Sequence, residues 1–306
     1  MLPLVWLAIF FGYMVALWEA GAHLRGVSTL LYTLLAWTFG HIGTMWLNAA
    51  RDQDRGPVAF GRTVGVPPHT ALCGLAAIGA TVICAVPAGP VITTCALGIC
   101  GLSLLYNHPQ AAWKGHPVGG PLVNIIGYGF LTPLAGLVAG HGMVGPRTVA
   151  LFTIMGLSTA SLYFGAQAFQ QDEDQSRRDR TLVATHGPVT VLRVARTCLR
   201  VAGMLALAGT VFGWFPRACL VAAPLAWWVD RHLVRWQTQP GGGSPADVRT
   251  FLFRLLSLLL VLVLAAMTEH IGDMLHGERP AGRNTAVVPP AWFVLEPDGL
   301  VARTAS

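Results

Sequence analysis

Residues 27–57 read VSTLLYTLLAWTFGHIGTMWL followed directly by NAARDQDRGP, so an apolar stretch ends abruptly in a charged patch. The apolar part, residues 27–47, is long enough to cross a hydrocarbon core of ~30 Å as a helix. The charged patch, residues 48–57, begins where such a helix would leave the bilayer. This pattern predicts a membrane-spanning helix with a polar site at one end.

The whole chain repeats the apolar part of this pattern. Hydrophobic residues make up 54% of the 306 residues and charged residues only 11%, whereas soluble domains carry about 25% charged residues. We therefore predict an all-α integral membrane protein, a bundle of about nine transmembrane helices. The predicted spans are residues 2–20, 27–47, 70–86, 91–106, 118–139, 149–169, 190–215, 218–229 and 251–267. Residues 1–270 would form one transmembrane domain, and residues 271–306 a polar C-terminal tail.

Basic residues are distributed unevenly among the predicted loops. The loops after spans two, four, six and eight hold nine arginines and Lys114, the only lysine in the chain, whereas the opposite short loops hold only Arg25, Arg147 and Arg217. Under the positive-inside rule, these loops face the cytoplasm. This topology accounts for the net charge of +6 without a nucleic-acid partner.

A second polar patch follows the sixth predicted span, at residues 167–182, which read QAFQQDEDQSRRDRTL. Residues three or four apart share a helix face, so Gln167, Gln170 and Asp174 are predicted on one face. Asn48 and Asp52 would share a face at the end of span two in the same way.

The two faces together would form an oxygen-rich site. Carboxylate and amide oxygens are ligands for Mg²⁺, which usually keeps water and phosphate oxygens as its other ligands. Asp54 does not fit the face of Asp52 in a continuous helix, but unwinding at Gly56 and Pro57 would turn it back towards the metal. Cationic side chains in the same loops suit a diphosphate: Arg55, Arg62, Lys114 and Arg178. Each of these charges, taken alone, also fits an ordinary topology signal at a helix end.

Taken together, the motifs resemble the UbiA-type intramembrane prenyltransferase superfamily. Its members have about nine helices and two Asp-rich motifs after helices two and six, approximately N-D-x-x-D-x-x-x-D and D-x-x-x-D with a following G-x-x-T-L. This chain resembles a variant subgroup with N-x-x-x-D-x-D and Q-x-x-Q-x-x-x-D motifs, and Thr181 and Leu182 match the end of the second motif.

The resemblance implies roles for individual residues. Mg²⁺ would be bound by Asn48, Asp52, Asp54, Gln170 and Asp174. The catalytic set would be Asp52, Asp54, Asp174 and Lys114, and the substrate-binding set Asn48, Arg55, Arg62, Tyr106, Asn124, Gln167, Gln170 and Arg178. In many members Asp stands where this chain has Gln167 and Gln170, and Gly56 replaces the last Asp of the first motif. The site therefore holds fewer carboxylates than the common form.

The implied function is Mg²⁺-dependent transfer of an isoprenyl group from a prenyl diphosphate to an unidentified lipophilic or aromatic acceptor within the membrane. Aromatic rings near the site could stabilise the allylic cation: Trp46, Tyr106, Tyr128, Tyr163 and Phe164. Two alternatives remain open. A terpene cyclase of the same fold would capture the cation with the substrate's own double bond. A transporter of ions or polar solutes would carry charges near mid-span.

Overall fold

The computed structural model describes residues 2–20, 24, 26–52, 65–111 and 113–276. Helices occupy all nine predicted spans in these ranges, which confirms the prediction of an all-α membrane bundle. The first four are α1 (Leu2–Ala20), α2 (Val27–Asp52), α3 (Thr70–Ala85) and α4 (Pro90–Asn107). The fifth span combines α5 (Gly119–Asn124), a π-helical segment (Ile125–Leu131) and α6 (Thr132–Ala139). The others are α7 (Pro146–Gln167), the short α8 (Gln171–Ser176), α9 (Leu182–Val211), α10 (Ala223–Trp236) and α11 (Pro245–His276).

Six spans are long and apolar enough to cross a membrane by length and composition alone: Leu2–Ala20, Thr70–Ala88, Pro90–Asn107, Gly119–Ala139, Pro146–Gln167 and Pro245–His276. The helices α2, α9 and α10 complete the bundle with more polar sequences.

Glycines bring some of these helices into close contact. A Cβ at Gly12 of α1 would overlap the Pro133 carbonyl oxygen of α6, and one at Gly136 of α6 would overlap the Ile9 carbonyl oxygen of α1. Small residues allow membrane helices to approach in this way, so that backbone packs directly on backbone. The contact fixes α1 against the fifth span.

The second polar patch differs from its prediction. Gln167, Gln170 and Asp174 were predicted on one continuous helical face, but α7 ends at Gln167. Gln170 is the N-cap of the separate helix α8, with φ −98° and ψ 8°, and Asp174 lies inside α8. The prediction of one continuous face was therefore wrong. After the break, the Arg180 amide donates to the Gly115 carbonyl, so the chain beyond α8 contacts the segment between α4 and α5.

Two other boundaries also differ from the predicted ones. The helix α9 begins at Leu182, before the predicted start, and Gly187 with φ 77° followed by Pro188 interrupts it near this end. The helix α11 runs from Pro245 to His276, beyond the predicted span on both sides. The remainder of the predicted tail, residues 277–306, lies outside the described residues.

Candidate functional site

The helices surround a cavity of about 400 Å³ that is polar at one end and apolar along most of its wall. We call the region with the charged and amide side chains the polar end. It is lined by Asn48, Lys114, Gln167, Gln170, Asp174 and Asp179. Apolar side chains from α1, α7 and α11 line other parts of the wall, among them Phe11, Leu151 and Leu258. Such a cavity can accept a molecule with a charged head and a hydrocarbon tail.

Asp52, at the end of α2, is held by cations from two other segments. Lys114 Nζ donates to its carboxylate, and Arg177 Nη1 lies 3.8 Å from its Oδ1. Arg177 also donates to the Asp52 backbone carbonyl at 3.3 Å. Asp52 is not among the residues that line the cavity, whereas Lys114 is. The carboxylate of Asp52 therefore positions the Lys114 ammonium at the polar end.

Asp174 is a buried carboxylate at the polar end, with 7% of the residue exposed. Its Oδ2 accepts a hydrogen bond of 2.6 Å from Thr181 Oγ1, and Thr181 also caps α9 by accepting from the Ala184 amide at 3.3 Å. Burial raises the pKa of the Asp174 carboxyl; the Thr181 hydrogen bond lowers it, and the nearby Asp179 carboxylate raises it. Two carboxylates therefore lie close enough at the polar end to repel each other.

Asp179 was not among the predicted site residues, yet its side chain lines the cavity. The Asp179 amide donates to the Asp174 carbonyl at 2.9 Å, and the Arg180 amide donates to the Gly115 carbonyl at 2.8 Å. A Cβ at Gly115 would overlap Asp179 Oδ1, so the carboxylate packs directly on this glycine. Burial raises the pKa of Asp179, and the charges of Arg177 and Lys114 lower it. In the sequence, Asp179 lies five residues after Asp174 among several other charged residues, and nothing in the pattern distinguishes it from them.

The amide side chains complete the polar end. Gln167 Nε2 donates to the Tyr163 hydroxyl at 3.0 Å, and Asn124 Nδ2 donates to the Gly120 carbonyl at 2.9 Å. Among the described residues, no group donates to Gln167 Oε1 or Asn48 Oδ1, although both atoms are buried. Both residues line the cavity, so each brings a buried acceptor oxygen without a described partner close to the polar end.

The chemistry of this donor set fits a hard divalent cation. In the described part of the chain, no group of three or more His, Cys, Asp or Glu side chains is arranged to hold a metal. The oxygens available here are instead mixed: carboxylates of Asp174 and Asp179 and amides of Asn48, Gln167 and Gln170. Mg²⁺ is commonly held by one or two carboxylates together with water and substrate phosphate oxygens. The unpartnered amide oxygens of Asn48 and Gln167 and the carboxylates of Asp174 and Asp179 are therefore compatible with Mg²⁺.

Aromatic residues are divided between the cavity and the outside. Tyr106, Tyr128 and Tyr163 line the cavity, and Asn124 does so as well. The Tyr128 hydroxyl lies 3.2 Å from His41 Nδ1, and Tyr128 belongs to the π-helical segment. Trp46 is 44% exposed and does not line the cavity. Phe164 does not line it either, but packs edge-on against Tyr163.

Three of the predicted site residues, Asp54, Arg55 and Arg62, lie outside the described residues. Arg178 has an exposed side chain and does not line the cavity. Its φ of 60° places the backbone in the left-handed region that favours glycine. The neighbouring Arg177 instead contacts Asp52. The two arginines are adjacent, so the sequence pattern does not distinguish which of them makes this contact.

The fold and the cavity define an integral membrane protein with a binding site inside a helical bundle. The model of the UbiA prenyltransferase family matches residues 5–255, so the chain belongs to this family, as the sequence motifs predicted. No curated protein matches the chain at a significant level.

Solved structures with the same fold are distant in sequence. A UbiA homologue from Archaeoglobus fulgidus bound to DMAPP and Mg²⁺ is 17% identical, with a TM-score of 0.62, over 88% of this chain and 96% of that chain. A structure of digeranylgeranylglyceryl phosphate synthase is 15% identical, with a TM-score of 0.60, over 85% and 93%. The apo structure of a UbiA homologue from Aeropyrum pernix K1 is 15% identical, with a TM-score of 0.55, over 90% and 98%. At these identities the likeness shows a shared fold.

Proposed function

We propose that the protein transfers a prenyl group from a prenyl diphosphate to a lipophilic or aromatic acceptor in the membrane, with Mg²⁺ as cofactor. This proposal rests on one observation: a single cavity has a polar end, which contains carboxylates and a lysine, and a long apolar wall. A prenyl diphosphate has the same division between a charged head and a hydrocarbon tail. Membership of the prenyltransferase family supports the assignment.

At the polar end, Lys114 binds the diphosphate, and Asp52 holds the Lys114 ammonium in place. Asp174, Asn48 and the two glutamines are the groups that would hold Mg²⁺. When bound, Mg²⁺ neutralises the charge that builds up on the leaving diphosphate. The A. fulgidus homologue was solved with DMAPP and with GPP, each together with Mg²⁺, which supports the same ligand class here.

The prenyl tail would lie along the apolar wall, away from water. As the bond between the allylic carbon and the diphosphate oxygen breaks, positive charge develops on the carbon. The rings of Tyr106, Tyr128 and Tyr163 line the same cavity and would stabilise this charge through their π faces. Attack by the acceptor on the allylic carbon would complete the transfer.

We also propose that the polar end faces the cytoplasm and that Asp54, Arg55 and Arg62 contribute to it from the loop after α2. The excess of basic residues in the loops on this side supports the orientation. The charged side chains that line the cavity in the described part of the chain, Lys114, Asp174 and Asp179, all belong to the polar end. A transporter would be expected to carry such charges near mid-span, so this placement favours the enzyme.

The test is to incubate purified protein in lipid nanodiscs with prenyl diphosphates of increasing length and Mg²⁺, and to measure pyrophosphate release and lipid products. Parallel samples contain a membrane lipid extract as the source of acceptor. Prenylated products that form only with the extract would support the transferase. Products that form from the diphosphate alone would show a terpene cyclase instead, and no release from any substrate would contradict both.

A further inference from the structure

We propose that Asp179 is a metal-binding carboxylate of this site, which supplies negative charge that Gln167 and Gln170 lack. The proposal rests on the proposed function, because it requires a complex of a divalent cation and diphosphate at the polar end. Asp179 is not one of the residues that define either motif; it lies five residues after Asp174 and two before Thr181.

The position of the Asp179 side chain supports this role. Asp179 lines the cavity beside Asp174, and its backbone is tied at both ends of a short turn. The Asp179 amide donates to Asp174, and the next amide, of Arg180, donates to Gly115. Gly115 follows Lys114 directly, and a side chain at Gly115 would collide with the Asp179 carboxylate. The turn therefore holds this carboxylate between the lysine segment and α8.

The small number of carboxylates that line the polar end also supports this role. Of the carboxylates described at this end, Asp52 is engaged by Lys114 and Arg177 and does not line the cavity. Without Asp179, Asp174 would face the cavity with neutral amides from the described part of the chain. The number of charged ligands is a principal determinant of divalent-cation affinity. Asp179 therefore doubles the described carboxylate charge that lines the polar end.

The buried amide oxygen of Gln167 also lacks a partner. Gln167 lines the cavity and is 7% exposed, and its Oε1 accepts no hydrogen bond from the described residues. An unsatisfied buried acceptor is costly and calls for a partner. A cation held by the two carboxylates, or water bound to that cation, would supply one.

A purely structural role for Asp179 makes different predictions. As a counter-ion for Lys114 and Arg177, Asp179 would tolerate Glu, which keeps the charge. As a metal ligand, it would not tolerate Glu well, because the longer side chain cannot keep its oxygens in the same position against Gly115.

The experiment measures Mn²⁺ binding by electron paramagnetic resonance in nanodiscs, with inorganic pyrophosphate present and without turnover. Loss of even an outer-shell partner of a ligand lowers metal affinity about 10–100-fold, so Asp179→Asn is expected to weaken Mn²⁺ binding by at least about ten-fold. Asp179→Glu is expected to weaken it as well. Asp172→Asn is the matched control, because Asp172 is exposed in α8, and it should bind as the wild type does.

Restoring the charge at another position completes the test. Gln170 lines the cavity, so the double variant Asp179→Asn, Gln170→Asp should recover most of the lost affinity. Wild-type affinity in Asp179→Glu would overturn the proposal, because it is the result expected of a counter-ion. Wild-type affinity in Asp179→Asn would overturn it as well, and so would a double variant that binds as weakly as Asp179→Asn. Asp174→Asn separates the two hypotheses: if it loses Mn²⁺ while Asp179→Asn does not, only the Asp179 assignment fails. Absence of Mn²⁺ binding in the wild type would overturn the metal site of the proposed function together with it.

Discussion

At the scale of single residues, Lys114 connects the two polar patches. Its ammonium group bonds to Asp52 of the first patch, and the Gly115 carbonyl beside it accepts from Arg180 of the second. The sequence predicted Lys114 as a diphosphate-binding residue but did not reveal this link, because residues 52 and 114 are far apart in the chain. The link depends on packing between segments, which local patterns do not encode.

Replacement of Lys114 tests its charge. Lys114→Ala should weaken binding of the diphosphate and leave Asp52 without its closest cation, whereas Lys114→Arg should keep much of both functions. Loss of a hydrogen bond to a charged group costs about 1.5–3 kcal/mol, which corresponds to roughly ten-fold to a hundred-fold weaker binding. Inhibition by inorganic pyrophosphate measures this effect directly. If Lys114→Ala kept the inhibition constant and the expression of the wild type, Lys114 would serve only to mark a membrane boundary.

Arg178 offers the opposite test, because the structure does not bring this predicted substrate-binding residue to the cavity. Its side chain is exposed and its φ is 60°, a backbone conformation that glycine adopts without steric cost. Arg178→Gly should therefore keep the wild-type Michaelis constant and unfold at an equal or higher temperature. A large rise in the Michaelis constant would restore the predicted contact with the diphosphate.

At the scale of helices, the sequence predicted where the apolar spans lie better than where the polar segments turn. Each predicted span contains a helix in the structure, and six of these spans are long and apolar enough to cross a membrane, because a crossing helix needs about 20 apolar residues. The break between α7 and α8 was missed, since neither proline nor glycine marks residues 168–170. The break places Gln167 and Asp174 in two different helices, and both residues line the same cavity.

Close packing at the start of α5 makes another prediction. A Cβ at Gly120 would overlap the Tyr163 hydroxyl, which accepts from Gln167. Gly120→Ala should displace this pair and lower turnover, with a packing cost of about 1–3 kcal/mol. Gly101→Ala is the matched control: Gly101 lies in α4, and a Cβ there meets nothing within 4 Å. Equal turnover in both variants, measured under saturating substrate, would show that Tyr163 can move without consequence.

At the scale of the whole molecule, the bundle places a charged site at one end of an apolar cavity. Composition and span pattern predicted the membrane class, and the two motifs predicted most of the residues at the polar end, including Asn48, Gln170 and Asp174. They did not predict Asp179 or the positioning role of Asp52. The position of Asp179 depends on how the loop after α8 packs on the segment that carries Lys114, and the role of Asp52 depends on how that segment packs on the end of α2.

In the proposed reaction, the polar end of the cavity ionises a prenyl diphosphate with the help of Mg²⁺. The most direct measurement is a titration of Mg²⁺ against pyrophosphate release by purified wild-type protein with a prenyl diphosphate and its acceptor extract, and with EDTA as the zero point. We expect no release in EDTA and a saturable rise with Mg²⁺. Asp174→Asn should reduce this release by about a hundred-fold or more, as for loss of a group that stabilises developing charge. Release at full rate in EDTA, or full activity of Asp174→Asn, would contradict it.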